Sequence, residues 1–264
     1  MLVFPQLVTG ASALYPVKKT SVQRTAVNTL PDGSVVVLAD PDGASKAWEL
    51  HASGMTLAEW NAIEALFEAT SGMWQTFTFL DPTWNLLAQS EDLSAGVWTN
   101  GALIQLTPGV GDPLGTTRAT RVTNAGSAAA AVAQVLNVPG NFEYCCSVWA
   151  RTIGTSGVTL TISTTGGTLS QTFALSGAWS RVVLAGNLGQ STTQVTFGAQ
   201  LDAGGTVDLF GMQVEAQLGP SDYKQTTTQG GVYAKARFGS DSISVTAQGT
   251  DVFDAVIQIV DTEG

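Results

Sequence analysis

Phe77-Thr78-Phe79-Leu80-Asp81-Pro82-Thr83-Trp84-Asn85-Leu86-Leu87 is the stretch on which the fold turns. Trp74, Thr76 and Thr78 alternate with Gln75, Phe77 and Phe79, the two-residue period of a pleated strand. Asp81-Pro82 ends that strand, because proline offers the ladder no N–H. From Asn85 the text changes to short alternating strands rich in Gly, Thr, Ser and Ala, and it changes back near Gly230-Gly231. Two strands follow, Arg237 to Val245 and Phe253 to Val260, and two strands are too few to stand alone. Their partner is the N-terminal segment. The sequence therefore predicts one discontinuous domain, residues 1–84 with 231–264, interrupted by a second at 85–230.

Upstream of the seam one helix is predicted over about residues 56–70. Thr56 and Glu59 form a T-x-x-E capping box, Trp60, Ile63, Leu66 and Phe67 recur on one face, and Gly72 stops it. Ser34 to Ala39 and Ala47 to Ala52 read as strands flanking a turn at Asp40-Pro41-Asp42-Gly43. Within 85–230, Val158, Leu160 and Ile162 alternate with Thr159, Thr161 and Ser163, and Val195 to Leu201 does likewise. Turn signals such as Gly154 to Gly157, Gly166-Gly167 and Gly204-Gly205 recur at the spacing of a β-sandwich. The fold class predicted is mainly β: a small sandwich or barrel-like domain with one α-helix, interrupted by a jelly-roll sandwich.

Composition agrees. The 264 residues include 29 glycines and only 12% charged residues, which suits sheets and tight turns better than long helices. No run approaches the ~20 apolar residues of a membrane helix. Met1 to Gly10 has neither the basic start nor the apolar stretch of a signal peptide, so none is expected there. A net charge of −10, spread along the chain, argues against nucleic-acid binding. Cys145 and Cys146 are adjacent and point to opposite faces of a strand, which disfavours a mutual disulfide.

The outer segments resemble the distal tail proteins of long-tailed phages, of the lambda minor-tail-protein type. The pattern runs from Leu30-Pro31-Asp32-Gly33-Ser34 through Trp48 to Leu50, Leu66-Phe67-Glu68, Gly72 to Phe77, and Phe79-Leu80-Asp81-Pro82, then Ala236-Arg237-Phe238, Ile243-Ser244-Val245 and the last strand. The inserted part resembles carbohydrate-binding-module-like jelly rolls, on Asn85 to Asp92, Trp98, Ser147-Val148-Trp149-Ala150-Arg151, Ala178-Trp179-Ser180-Arg181, Phe197 to Leu201 and Leu209 to Glu215. These resemblances imply a virion protein of the tail tip, assembled in the host cytoplasm. Its outer domain would form a ring, usually a hexamer, joining the tail tube to the tip or hub. Apolar faces around Leu2 to Tyr15 are expected to be buried against neighbouring copies, and the insert to reach host-surface polysaccharide. A secreted or cell-surface carbohydrate-binding protein is the alternative.

No enzyme is expected. The one histidine, His51, has no nucleophile elbow to serve, and Gly109-Val110-Gly111 lacks the following Lys-Thr of a phosphate loop. Glu91-Asp92, Glu143 and Glu215 are the carboxylates available to a glycosidase, and nothing in their spacing brings a pair together. The resemblance raises a structural calcium near Glu91, Asp92 and Asp208, but Phe210-Gly211 stands where many relatives carry acids, so no metal ligand is assigned. For carbohydrate the candidate residues are Tyr144 and Trp149, expected to share one face of a strand, with Gln134, Gln171 and Gln200 as polar groups. No cofactor is implied.

Overall fold

A computed structural model describes residues 1–261, the side chains of 41 and 42 excepted. Its strands run β1 (Leu14–Thr29), β2 (Val35–Met55), β3 (Phe77–Leu80), β4 (Thr99–Asn100), β5 (Ile104–Val110), β6 (Ala119–Asn124), β7 (Ala130–Leu136) and β8 (Tyr144–Arg151). They continue β9 (Gly157–Thr164), β10 (Gly167–Ala174), β11 (Ser180–Gly186), β12 (Val195–Leu201), β13 (Thr206–Glu215), β14 (Val232–Phe238), β15 (Val245–Gly249) and β16 (Val252–Asp261). Helix α1 spans Leu57–Thr70. The chain divides into two compact units. The first contains residues 1–8, 13–79 and 233–264, and the second 9–12 and 80–232.

The first unit is one sheet in the order β1-β2-β16-β14-β3, with β15 on β16. Pairing of β2 with β16 sets Trp48, Leu50 and Ala52 opposite Ile259, Ile257 and Ala255, one apolar row facing another. Helix α1 buries Trp60, Ile63 and Leu66 in the same core, with Phe4, Leu7, Phe77, Phe79, Tyr233 and Phe238. Trp48 meets Phe79 and Tyr233 edge to face at 5.1 and 4.6 Å. Thr56 and Glu59 complete the capping box as expected. The helix ends one residue before the predicted glycine, with Ser71 at φ 51°, and Gly72 follows at φ 66°.

Four expectations change here. The hairpin turn lies at Leu30 to Ser34, where Gly33 takes φ 82° and Asp32 Oδ1 accepts the Ser34 amide at 2.9 Å. At Asp40 to Gly43 strand β2 carries on, and its register against β1 slips between Val22 and Arg24. Arg24 Nε donates to Asp40 at 2.7 Å, and the missing Cβ of Gly43 leaves room for the Arg24 side chain. A bulge of this kind accommodates proline inside a strand. Second, the strand after the helix starts only at Phe77. Third, the segment from Gly239 to Ser244 is a loop, tied by Asp241 Oδ1 to the Met73 amide at 2.9 Å, so the last region holds three strands. Fourth, Phe4 and Leu7 belong to this chain's own core.

The second unit is a sandwich of two five-stranded antiparallel sheets, β10-β9-β12-β7-β4 and β11-β8-β13-β6-β5. Val158, Leu160, Ile162, Phe197 and Ala199 of the first and Tyr144, Cys146, Val148 and Leu209 of the second are buried. Gly230 is no slack linker. A Cβ there would fall on the Leu86 carbonyl and within 2.8 Å of the Leu87 carbonyl carbon, backbone against backbone. Gly230→Ala is therefore expected to cost about 3 kcal/mol, since neither strand of chain can yield as a flexible side chain would. A urea denaturation series will show it as a lowered midpoint with an unchanged slope.

Candidate functional site

Two identical patterns, Trp149-Ala150-Arg151 and Trp179-Ser180-Arg181, organise the outer face of the second sheet. Side chains alternate along β8, so Tyr144, Cys146, Val148 and Ala150 turn inward and Cys145, Ser147, Trp149 and Arg151 turn outward. β11 runs antiparallel beside it, with Ala150 opposite Ser180 and Trp149 opposite Arg181. The same register brings the Arg151 guanidinium over the Trp179 ring, 4.7 Å from its centre. Each tryptophan thus lies across from the other motif's arginine, and both indoles are half-buried.

The next strands extend the face. Arg151 Nε donates to Asp208 Oδ2 at 3.0 Å, and Arg121 Nε donates to Asp208 Oδ1 at 2.7 Å. Asp208 is buried and serves two guanidiniums. Arg181 donates to neutral acceptors, the Ser221 carbonyl at 2.6 Å and the Ser147 hydroxyl at 3.0 Å. Beyond Phe210 the face is roofed by Tyr223, whose ring centre lies 5.3 Å from that of Phe210. Gly211, at φ 66°, permits this: a Cβ would come within 2.9 Å of the Tyr223 ring.

At the rim Arg118 donates to Glu91 at 3.0 Å and lies over the Phe210 ring. Burial raises the Glu91 carboxyl above its usual range, against the lowering effect of Tyr223 and Arg118. Burial also opposes ionisation of Asp112, but the Thr116 hydroxyl and the amides of Arg118, Thr116 and Leu114 outweigh it and hold the group at about 2. All five basic residues of 80–232, Arg118, Arg121, Arg151, Arg181 and Lys224, lie in this face or against it.

The carbohydrate candidates fall elsewhere, Trp149 excepted. Tyr144 and Trp149 are five residues apart, an odd step, so they occupy opposite faces of β8. Tyr144 is 1% exposed, donates to the Pro139 carbonyl at 2.7 Å and packs on Phe197, so no face of its ring is open to a ligand. Gln134 is buried and bonds both ways with the Ala88 backbone, at 2.9 and 3.0 Å. Gln171 is exposed on the edge strand β10. Gln200 lies on β12 opposite Ala131 and Thr159, in the other sheet from Trp149. The structure brings no two of the five together. The arginine–tryptophan face escaped sequence reasoning, although the repeated W-x-R on two strands was its visible signal.

The residues near the implied calcium position do not suit that ion. Glu91 accepts from Arg118, Gln225 and Tyr223, Asp208 from two arginines, and Asp92 caps its own turn at Ser94. A cation there would face guanidinium groups. Both cysteine thiols are pushed up to about 12 by burial, Cys145 further by the charge of Glu215, so neither is a nucleophile at neutral pH.

The sequence matches no protein-family model and no curated protein. Among solved structures it is similar to the xylan-binding domain from CBM 22, at 18% identity and TM-score 0.42, over 53% of this chain and 99% of that one. It is also similar to the CBM22-1-CBM22-2 tandem domain of Paenibacillus barcinonensis Xyn10C, at 12% and 0.43, over 65% and 60%. A third likeness is to the enzymatically active domain of bacteriophage CBA120 tailspike protein 4, at 14% and 0.40, over 52% of this chain but 22% of that one.

Proposed function

We propose that this protein is a non-catalytic structural component of a phage tail tip. Its first unit would pack against copies of itself in a ring, six by the resemblance, between the tail tube and the hub. The sandwich unit would engage host-surface polysaccharide. The observation that carries the self-association is an arm formed by β1 and the start of β2, in which every residue from 20 to 39 is exposed. Val27 and Val37 face each other on one side, while Ala26 and Leu38 do so on the other. Val27, Val35, Val37 and Leu38 are 61, 57, 62 and 52% exposed. A two-stranded ribbon is marginal alone in water, and one that is apolar on both faces gains stability by being covered.

Native mass measurement tests this. The expected result is a closed multimer, reduced to monomer when Val27→Lys and Val37→Lys are combined, with at least a hundredfold weaker association and an unchanged circular dichroism spectrum. A chain that stays monomeric at high concentration and is absent from purified virions overturns it.

A further inference from the structure

From the paired W-x-R motifs we infer that the sandwich unit takes an acidic glycan, bound on the outer face of the β11-β8-β13-β6-β5 sheet. This deepens the polysaccharide reading above and rests on it. Arg151 stacks on the half-buried indole of Trp179, Arg181 lies opposite the half-buried Trp149, and Arg121 joins Arg151 through Asp208. Among the described residues Asp208 is bonded to Arg121 and Arg151, and Arg181 bonds a carbonyl and a hydroxyl. Over the whole face five cations meet four bonded carboxylates, Asp208, Glu215, Glu91 and Asp112, which leaves a surplus of one, carried by Arg181, on a molecule whose net charge is −10. Acidic residues outnumber basic ones along the whole chain, 21 to 11, so gathering the sandwich's cations on one face is not a by-product of composition.

The chemistry of the patch selects its ligand. Indole rings take the apolar face of a pyranose, and guanidinium forks take carboxylate, sulfate or phosphate in two parallel hydrogen bonds. Asp208, fixed between Arg121 and Arg151, holds two forks in place before a ligand arrives, so little order is lost on binding. Arg181 is anchored only by a carbonyl and a hydroxyl, which leaves its charge uncompensated by a bonded carboxylate. A neutral glycan would satisfy the indoles and gain nothing from the surplus charge. The face built from Thr159, Thr161, Thr196 and Gln200 on the opposite sheet has neither an aromatic ring nor a cation.

Affinity electrophoresis of the full chain in gels containing hyaluronan, alginate or polysialic acid, with xylan and dextran as neutral gels, decides the matter. The expected result is retardation by at least one acidic polymer, weakened severalfold between 50 and 300 mM salt as screening predicts. Trp149→Ala and Arg181→Gln should each reduce that binding about tenfold or more. Arg181→Lys should restore part of it, and melting curves will show the variants folded. Retardation by xylan or dextran alone, or acidic binding indifferent to Trp149 and Arg181, overturns the assignment of ligand and face while the polysaccharide reading survives. No retardation in any gel removes both.

Discussion

Asn85→Leu will unfold the sandwich unit at a temperature some 10 to 20 °C below that of the parent protein. The side chain is fully buried and uses its whole hydrogen-bonding capacity. Its Nδ2 donates to the carbonyls of Met212 at 2.9 Å and Lys224 at 3.3 Å. Its Oδ1 accepts the amides of Leu87 at 3.1 Å and Val214 at 3.0 Å. One amide therefore ties the first loop to the last long strand and to the segment that roofs the outer face. Leucine has the same branched skeleton and greater bulk, so no cavity opens, but four backbone groups lose their partner away from water. Each costs about 1–3 kcal/mol, and even after the gain in apolar burial the loss is about 5 kcal/mol. Asn85→Asp keeps the acceptor and turns a carboxylate on two carbonyls. Its cost should be larger at pH 8 than at pH 4, because protonation restores a donor. Melting followed by tryptophan fluorescence reads both, and a shift of under 3 °C for Asn85→Leu would refute the account.

That buried amide explains why the seam was legible while its chemistry was not. The change of texture at Asn85 is a local property of the sequence, visible in any window that spans it. Three of its four partners, Met212, Val214 and Lys224, are distant in sequence, and no window contains them. Helix α1 was legible for the opposite reason. Its start depends on Thr56 and Glu59, three residues apart, and its buried face on steps of three and four. The hairpin shows the limit of local signals. Asp32-Gly33 and Asp42-Gly43 offer the same turn chemistry, and what selects the first is the long register from Thr29 opposite Val35 to Leu14 opposite His51. The candidate site failed on a similar point. Tyr144, Gln134 and Gln200 suggest a sugar platform by residue type, but strand parity and sheet membership decide which side chains meet. Parity was readable from the five-residue step between Tyr144 and Trp149. Antiparallel pairing of β8 with β11, which makes a square of two W-x-R motifs, was not.

A chain ending after Gly231 should lose the first unit entirely while the sandwich survives, and this is the largest effect the topology predicts. β16 runs between β2 on one side and β14 and β15 on the other, so it is central. Removing it exposes the row Trp48, Leu50 and Ala52, and takes away Ile257 and Ile259 from the opposite row together with Tyr233 and Phe238. Each large side chain contributes about 1.5–3 kcal/mol by burial, and four such losses approach the entire stability of a small domain. Helix α1 and β1 would remain covalently present without a sheet to cover. The sandwich's strands, by contrast, all lie between residues 99 and 215, and its Asp81, Asn85 and Gly231 backbone bonds remain. Circular dichroism should show loss of the helical signal with strand signal retained, and proteolysis should stop at a fragment beginning near residue 80. A point variant separates this from a mere truncation artefact. Ile259→Lys places an unpaired charge where exposure is 0%, next to Trp48, and should melt the same unit by about 4 kcal/mol or more without touching the other. If instead both transitions move together in Ile259→Lys, the two units fold as one cooperative body, and the independence drawn from their separate cores is wrong.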